Sequence, residues 1–194
     1  MSARYDCADP QQREEGLAAA AAALTESLGA FGQDLIDEFW PGALTLVFRA
    51  SPTLMWDLGD TKGTVALRMP LHAVTLDVLR QTGPMAVSSA NRHGQPAATT
   101  ADEAEQQLGE SVSIYLDGGP CADNIPSTIL DLTGSIPKVL RSGAIGVDRL
   151  RGTCAVLAEN EHYPEDVEDT KPAEPHPLGQ GLADPATGEP PAGA

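Results

Sequence analysis

Short blocks of apolar residues alternate with polar stretches along this chain, and the blocks predict alternating helices and strands. Asp9-Pro10 predicts a helix start, because Asp caps free backbone N–H groups and Pro suits the first helical turn. The alanine-rich run that follows has high helix propensity and predicts helix to about Leu28. A second helix is predicted over 33–39 and ends at Trp40-Pro41-Gly42, after which the apolar block 43–48 predicts a buried strand.

The second half of the chain continues the alternation. Strands are predicted at 64–69, 84–88, 112–116, 127–132 and 137–141, with the last two joined as a hairpin by Thr133-Gly134-Ser135. Helices are predicted at 73–80, with Gly83 as its stop, from the capping box Thr100/Glu103 through Leu108, and at 147–157. A loop is predicted at 55–62. Because strands and helices alternate without a regular βαβ period, we expect an α/β domain with a mixed sheet.

Composition divides the chain into two parts. Residues 158–194 contain nine acidic residues, one Lys and seven of the 16 Pro, with almost no large apolar side chains. Such a segment cannot bury enough surface to offset the entropy of ordering. We therefore predict one folded domain over 1–157 and an acidic, Pro-rich disordered tail over 158–194, for which a partner-binding arm remains the alternative.

The charge balance argues against two functional classes. The formal net charge is −16 in 194 residues, which disfavours a general nucleic-acid binder or a protein that docks on anionic membranes. No apolar run reaches about 18 residues, and Cys7, Cys121 and Cys154 are too few and too widely spaced for a disulfide framework. These patterns predict a cytoplasmic location. The four His have no metal-ligand spacing, so no protein-held metal site is predicted.

Candidate chemistry is concentrated in four segments. They are Phe39-Trp40-Pro41-Gly42-Ala43-Leu44-Thr45, Thr64-Val65-Ala66-Leu67-Arg68-Met69-Pro70, Ser88-Ser89-Ala90-Asn91 with Gly94, Pro96 and Thr99, and Pro126-Ser127-Thr128-Ile129 with Arg141. Each places a hydroxyl, amide or guanidinium group at the end of an apolar strand. Strand ends that line a crevice are where α/β sheets usually hold ligands.

These side chains suit a small anionic ligand. Arg68 and Arg141 are fixed positive charges that can bind carboxylate or phosphate through two hydrogen bonds. Hydroxyls and the Asn91 amide add neutral donors and acceptors. A structural interpretation stays open for each residue: Ser-Ala-Asn also forms ordinary turns, an exposed Arg68 could pair with a surface carboxylate, and Trp40 suits packing better than a site.

Taken together, the four segments resemble the YrdC-like threonylcarbamoyl-adenylate synthases. WPGALT, ALRMP, SSAN with its following Gly and Pro, and PSTI with its downstream Arg occur in the family's order between about Phe39 and Arg149. The resemblance implies a YrdC-like twisted mixed sheet with flanking helices. It also implies an enzyme that joins ATP, L-threonine and bicarbonate into threonylcarbamoyl-AMP and pyrophosphate, with Mg²⁺ carried by the nucleotide. A tRNA-modifying transferase would then use the product to form threonylcarbamoyladenosine.

The resemblance also implies roles for single positions, and no protein nucleophile. The residues that match the family's ATP contacts are Thr64, Asn91, Thr99 and Arg141. The residues that match its threonine contacts are Arg68, Ser89 and Ser127.

The match is incomplete before Phe39. The family has an early strand with P-T-D-T-x-Y-G and then K-x-R-x-x-x-P, whose cations meet phosphate, and this chain has neither. The sequence therefore predicts a domain shortened internally near residues 24–25, without an N-terminal strand–helix portion. Since a lost electrostatic group can cost about 10²–10³ in rate, a catalytically impaired relative that binds a nucleotide, an amino acid or a protein is the alternative function. A third interpretation, an RNA-binding module, is opposed by the acidic charge.

Overall fold

A computed structural model describes residues 19–121 and 125–162 of the chain. Residues 19–24 are helical. The elements that follow are α1 (Gly32–Phe39), β1 (Leu44–Arg49), β2 (Thr64–Leu67), α2 (Ala73–Thr82), α3 (Ala101–Leu108), a 3₁₀ turn (Gly109–Ser111), β3 (Thr128–Asp131), β4 (Lys138–Arg141) and α4 (Val147–Arg151).

The described strands form one mixed sheet in the order β2-β1-β3-β4. β1 and β3 are parallel, with Leu44 opposite Thr128, whereas β2 and β4 run antiparallel to their neighbours. The predicted hairpin is the β3–β4 pair. The α/β class with a mixed sheet and flanking helices is therefore confirmed.

The core lies between this sheet and α1. Leu44, Leu46 and Phe48 alternate with less buried residues along β1, which is the period of a strand with one buried face. Leu35 and Ile36 of α1 pack into the same cluster and are almost fully buried. Burying side chains of this size contributes about 1.5–3 kcal/mol each. Trp40 is also buried, with its indole N–H donating to the Leu44 carbonyl at 2.8 Å, as expected for a packing residue.

The helix termini follow the predicted chemistry. His72 caps α2 by accepting from the Thr75 N–H, and Gly83 ends that helix. Thr100 caps α3 by accepting from the Glu103 N–H at 3.2 Å, and the Glu103 carboxylate reaches back mainly to the Thr99 N–H. The capping box is therefore present with its return bond shifted by one residue.

The two strands predicted at 84–88 and 112–116 are wrong. Among the described residues no strand pairs with either segment, and the side chains of Val87 and Ile114 are 86% and 73% exposed. A strand needs a neighbour to satisfy its backbone groups and an apolar face to bury its side chains. The apolar sequence of these segments predicted strands, but the described fold provides no strand for them to join.

The predicted helix 147–157 ends early, at Arg151. After Gly152 the chain turns back toward β4, where Leu157 pairs with Lys138 in a parallel bridge. The Val139 N–H donates to the Leu157 carbonyl at 2.9 Å. Because this return buries Val156, tertiary pairing overrides the helix propensity of the segment.

The first helical segment also ends before the predicted Leu28. Thr25 forms an antiparallel bridge with Ala50, and the Glu26 N–H donates to the Arg49 carbonyl at 3.0 Å, so the chain is already extended there.

The predicted helix start at Asp9 lies outside the described residues, as does nearly all of the predicted tail. Of the tail, residues 158–162 are described, and among them Glu159 and Glu161 accept hydrogen bonds from Ser142 and Arg151. In the described part of the chain, no helix has the length and hydropathy to cross a membrane.

Candidate functional site

One end of the sheet gathers the largest group of predicted site residues. β1 and β3 begin at this end, and β2 and β4 finish there, because the two outer strands run antiparallel to the central pair. Ser127 directly precedes β3, Arg141 is the last residue of β4, and Arg68 directly follows β2. We call the group Thr45, Arg68, Ser127 and Arg141 the cationic end.

Arg141 and Ser127 are held together by three hydrogen bonds. Arg141 Nε and Nη2 donate to the Ser127 carbonyl at 3.1 and 2.7 Å, and Nη2 also donates to Ser127 Oγ at 3.0 Å. The guanidinium plane is therefore fixed across the β3–β4 pair. The Arg141 Nη1 group takes part in no hydrogen bond among the described residues.

Thr45 extends this network. Its Oγ1 lies 2.8 Å from Ser127 Oγ, and either hydroxyl can donate. Since Ser127 Oγ already accepts from Arg141, a proton donated by Thr45 would leave the Ser127 proton for a ligand acceptor.

Arg68 lies on the β2 side of β1, opposite to the β3 side that holds Ser127 and Arg141. Its Nε donates to the Gly42 carbonyl at 2.8 Å, and the Gly42 N–H donates to the Met69 carbonyl at the same distance. A Cβ on Gly42 would lie 2.4 Å from the Phe39 carbonyl oxygen, so only glycine fits this approach. Both terminal nitrogens of Arg68 make no hydrogen bond within the described residues.

No described carboxylate forms an ion pair with the cationic end. Partial burial, and then the positive charge of Arg141, lower the pKa of Arg68 from its ordinary value. Within the described ranges, the ion pairs join Arg80 to Asp77, Arg149 to Glu38 and Arg151 to Glu161, and none includes Arg68 or Arg141. Two guanidinium groups that keep donors and lack a carboxylate partner, within the part of the chain that the structure describes, form a site for a carboxylate or phosphate group.

The segment after Arg141 stabilises this arrangement. Thr128 Oγ1 donates to the Ile145 carbonyl at 2.8 Å and accepts from the Ile145 N–H at 2.9 Å. Gly143 packs against the backbone before β3, where a Cβ would lie 2.4 Å from the Pro126 carbonyl oxygen. The segment that follows Arg141 therefore packs against the start of β3.

Thr64 lies at the other end of the sheet. It is the first residue of β2, opposite Arg49, and four residues of strand put it about 13 Å from Arg68. Its hydroxyl donates to the Thr61 carbonyl at 2.8 Å. A hollow formed by the loop between β1 and β2, with Trp56 and Leu58 in its lining, opens beside it.

Ser89, Asn91 and Thr99 belong to the long connection between α2 and α3. Asn91 Nδ2 donates to the Arg92 and Gln95 carbonyls and closes a tight turn, which is the structural role that the sequence left open. Its Oδ1 is buried and accepts no hydrogen bond among the described residues. The Thr99 hydroxyl donates to Glu103 at 2.8 Å, and this bond lowers the pKa of Glu103 after the larger effect of the Thr99 N–H.

The structure therefore places three of the seven predicted site residues, Arg68, Ser127 and Arg141, at one end of the sheet, and of these only Ser127 and Arg141 are bonded to each other. No hydrogen bond or ion pair among the described residues links Ser89, Asn91 or Thr99 to the cationic end. Sequence reasoning did not assign Thr45 or Gly42 to the site, although both lie in the WPGALT segment. Their position next to the β1 start, beside two other polar strand ends, was the signal that could have identified them.

Comparison with protein families adds independent information. A family model named Sua5_yciO_yrdC, described as telomere recombination, matches residues 16–143. A relative from Mycobacterium leprae, provisionally named threonylcarbamoyl-AMP synthase, is 40% identical over 211 positions that cover 81% of this chain and 96% of the relative. Threonylcarbamoyl-AMP synthase from Bacillus subtilis is 38% identical over 119 residues, which are 60% of this chain and 34% of that protein.

Solved structures give the same picture of the fold. Pyrococcus abyssi Sua5 complexed with L-threonine has a TM-score of 0.63 and 30% identity, covering 69% of this chain and 40% of that structure. Escherichia coli YciO has a TM-score of 0.60 at 22% identity, which shows the fold alone, and covers 68% of this chain and 64% of that structure.

The alignment with the Mycobacterium leprae relative is longer than the part of this chain that it covers. Since 81% of 194 residues is about 157, about 54 of the 211 aligned positions have no counterpart in this chain. The relative therefore contains internal residues that are absent here. The location of the gap near residues 24–25 stays a prediction.

Proposed function

Because the chain belongs to the Sua5/YciO/YrdC family, we propose that it is a threonylcarbamoyl-AMP synthase whose cationic end binds the anionic groups of its substrates. The observation that carries the proposal is the pair Arg68 and Arg141, which face one end of the sheet with free N–H groups and no carboxylate partner among the described residues. The names of the aligned relatives and the threonine complex of a similar structure support the same reaction.

In this reaction the threonine amine attacks the carbon of bicarbonate and water leaves, which gives a carbamate, one oxygen of which attacks the α-phosphorus of ATP. The bond from that phosphorus to the bridging oxygen breaks, and pyrophosphate leaves with the electron pair. Such chemistry needs no protein nucleophile. It needs reactants held in line and developing negative charge neutralised, which two fixed guanidinium groups can provide.

We assign the free donors of Arg68 and the Ser127 hydroxyl to the threonine carboxylate, and Arg141 Nη1 to a phosphate of the nucleotide. Ser89 for threonine, and Thr64, Asn91 and Thr99 for ATP, stay predictions that no contact with the cationic end supports. Mg²⁺ enters with ATP as part of that substrate. The proposal includes a cytoplasmic reaction whose product passes to a tRNA-modifying transferase.

The test measures pyrophosphate release from ATP with and without L-threonine and bicarbonate. Threonine-dependent release is expected from the full chain, and Arg68→Ala and Arg141→Ala are each expected to reduce it by about tenfold or more, because a hydrogen bond to a charged group contributes about 1.5–3 kcal/mol. Arg49→Ala is the matched control, since it removes the same charge at the opposite end of the sheet. Equal rates in all three variants would refute the assigned role of the cationic end.

A second candidate is a non-catalytic relative that keeps the ligand site. The absence of about 54 positions that the Mycobacterium leprae relative contains favours it, because part of the active-site wall could be lost with them. Calorimetry separates the two candidates. Binding of ATP or threonine that Arg68→Ala weakens, without pyrophosphate release, identifies the binding protein. Release that depends on threonine identifies the synthase.

A further inference from the structure

The segment that follows α4 returns along the outer edge of β4. Leu157 pairs with Lys138 in a parallel bridge. The Val139 N–H donates to the Leu157 carbonyl, and the Leu157 N–H donates to the Pro137 carbonyl, each at 2.9 Å. The family model matches residues 16–143, so this returning segment lies beyond the part of the chain that the match covers.

The side chain of Glu159 continues this contact toward the end of β4. Glu159 Oε2 accepts from the Ser142 N–H at 3.2 Å and from the Ser142 hydroxyl at 3.0 Å. Ser142 directly follows Arg141, so one carboxylate oxygen holds the residue at which the chain leaves the cationic end. Because an ionised acceptor forms stronger hydrogen bonds than a neutral one, this contact fixes the chain there.

Arg141 lies where the pairing of β4 with β3 is irregular. Arg141 is opposite Ile129. The next pair joins Val139 to Leu130, so Leu140 is the extra residue of a β-bulge, and its side chain is 48% exposed. A bulge interrupts the ladder and redirects the neighbouring side chain. The direction of the Arg141 side chain therefore depends on what holds the chain after the bulge.

Two contacts hold the chain after the bulge. Gly143 packs on the backbone before β3, and Glu159 binds Ser142 from the returning segment. We propose that Glu159 is a positioning residue, which holds Ser142 so that the Arg141 guanidinium stays against Ser127 and presents Nη1 to a phosphate of the nucleotide. This role rests on the proposed function, in which Arg141 binds that phosphate.

The sign of the effect on ATP binding separates positioning from simple electrostatics. A carboxylate near an anion site repels the anion, so its removal would strengthen ATP binding if charge alone mattered. Removal of a positioning contact weakens ATP binding instead, because the Arg141 donors are no longer held in place.

Isothermal titration calorimetry of the full chain with ATP measures this sign. Glu159→Ala is expected to weaken ATP binding by about threefold or more, since groups in one hydrogen-bond network are energetically coupled. Glu159→Gln keeps an oxygen that can accept from both Ser142 donors, and it is expected to bind ATP at least as tightly as the unchanged chain. Tighter binding by both variants would show a charge effect and would overturn the proposal.

Glu161→Ala is the matched control. It removes the same charge from the same segment, but the Glu161 carboxylate accepts from Arg151 and from the Ala158 N–H instead of Ser142. ATP binding within about twofold of the unchanged chain is expected for this variant. Equal weakening by the two alanine substitutions would mean that the whole turn matters, and the specific role of Glu159 would be wrong.

A second measurement does not depend on ATP. The Arg141 Nε–H donates to the Ser127 carbonyl, and NMR follows its exchange with water, the signal being identified by its absence from Arg141→Ala. Glu159→Ala is expected to accelerate this exchange by about threefold or more, and Glu159→Gln to leave it unchanged. Unchanged exchange in Glu159→Ala would overturn the proposal. If the unchanged chain binds no ATP, the proposed function fails, and the exchange rate still decides whether Glu159 positions Arg141.

Discussion

At the scale of single residues, the site depends on side chains whose hydrogen bonds leave some donors free. Arg68 uses Nε to bind the Gly42 carbonyl, and Arg141 uses Nε and Nη2 to bind Ser127. Each guanidinium is thus oriented by backbone and keeps terminal N–H groups for a ligand. The fork geometry of arginine makes this division possible, and a lysine ammonium could not reproduce it.

Glu103 gives a prediction for pH at the same scale. Hydrogen bonds from the Thr99 N–H and hydroxyl hold the pKa of Glu103 below its ordinary value. A depressed carboxyl pKa contributes stability that is present above the unfolded value, and this contribution is lost as pH falls through the folded value. Glu103→Gln is therefore expected to reduce the loss of Tm between neutral pH and about pH 3.5.

Thermal unfolding at both pH values checks this expectation. Glu105→Gln is the control, because it makes the same charge change on the same helix without the bonds to Thr99. If the two variants lose Tm equally on acidification, the Thr99–Glu103 bonds do not contribute to the pH dependence.

Thr128 gives a prediction for stability. Its buried hydroxyl bonds both the N–H and the carbonyl of Ile145, so Thr128→Val would leave two backbone groups without a partner. An unsatisfied buried group costs about 1–3 kcal/mol, and a decrease of about 2 kcal/mol or more in the free energy of unfolding is expected. Urea denaturation measures it. Thr128→Ser keeps the hydroxyl and should retain most of the stability.

At the scale of elements, strand direction decides which side chains meet. Ser127 and Arg141 lie fourteen residues apart in the sequence, yet the β3–β4 hairpin brings them together. Arg68 joins them because β2 runs antiparallel to β1. The same antiparallel direction places Thr64 at the opposite end, so two residues of one short motif are separated by the length of their strand.

The chain after β4 offers a test at this scale. Gly143→Ala would place a Cβ 2.4 Å from the Pro126 carbonyl oxygen, so the segment after Arg141 would have to move off the start of β3. We expect a loss of more than about 1 kcal/mol of stability, together with weaker ligand binding at the cationic end. Gly146→Ala is the control, because nothing lies within 4 Å of its added Cβ. Similar unfolding midpoints in urea for the two variants would contradict the packing argument.

At the scale of the whole molecule, the net charge of the chain and the charge of the cationic end differ in sign. The chain carries −16 overall, whereas the cationic end presents two arginines without a carboxylate among the described residues. The overall charge repels polyanions at a distance, and the local charge attracts a small anion once it is close. This combination suits small-molecule substrates better than nucleic acid.

Gel-shift measurements with tRNA test this conclusion. The full chain alone is expected to leave the mobility of tRNA unchanged at about 100 mM salt. Its net charge is negative, so binding would not be driven by the release of counterions from the RNA phosphates. A shift that disappears as salt is raised would show a basic binding surface and would revive the interpretation as an RNA-binding module.

The sequence by itself determined the elements with strong local signals. The apolar block 43–48, the Thr100 cap, the Gly83 stop and the hairpin turn at 133–135 each have a physical cause within a few neighbouring residues, and each was predicted. Four ordered motifs were also sufficient to predict the family, because their order and spacing restrict the chain far more than any single motif does.

Only the tertiary structure decided which of these elements acquired neighbours and which side chains came together. Residues 85–88 and 113–118 have strand sequences but pair with no strand among the described residues, because β pairing requires a partner that local sequence does not specify. Thr45 became part of the cationic end because β1 and β3 are parallel and begin together. Local propensity is encoded residue by residue, whereas strand pairing and site geometry depend on contacts between distant parts of the chain.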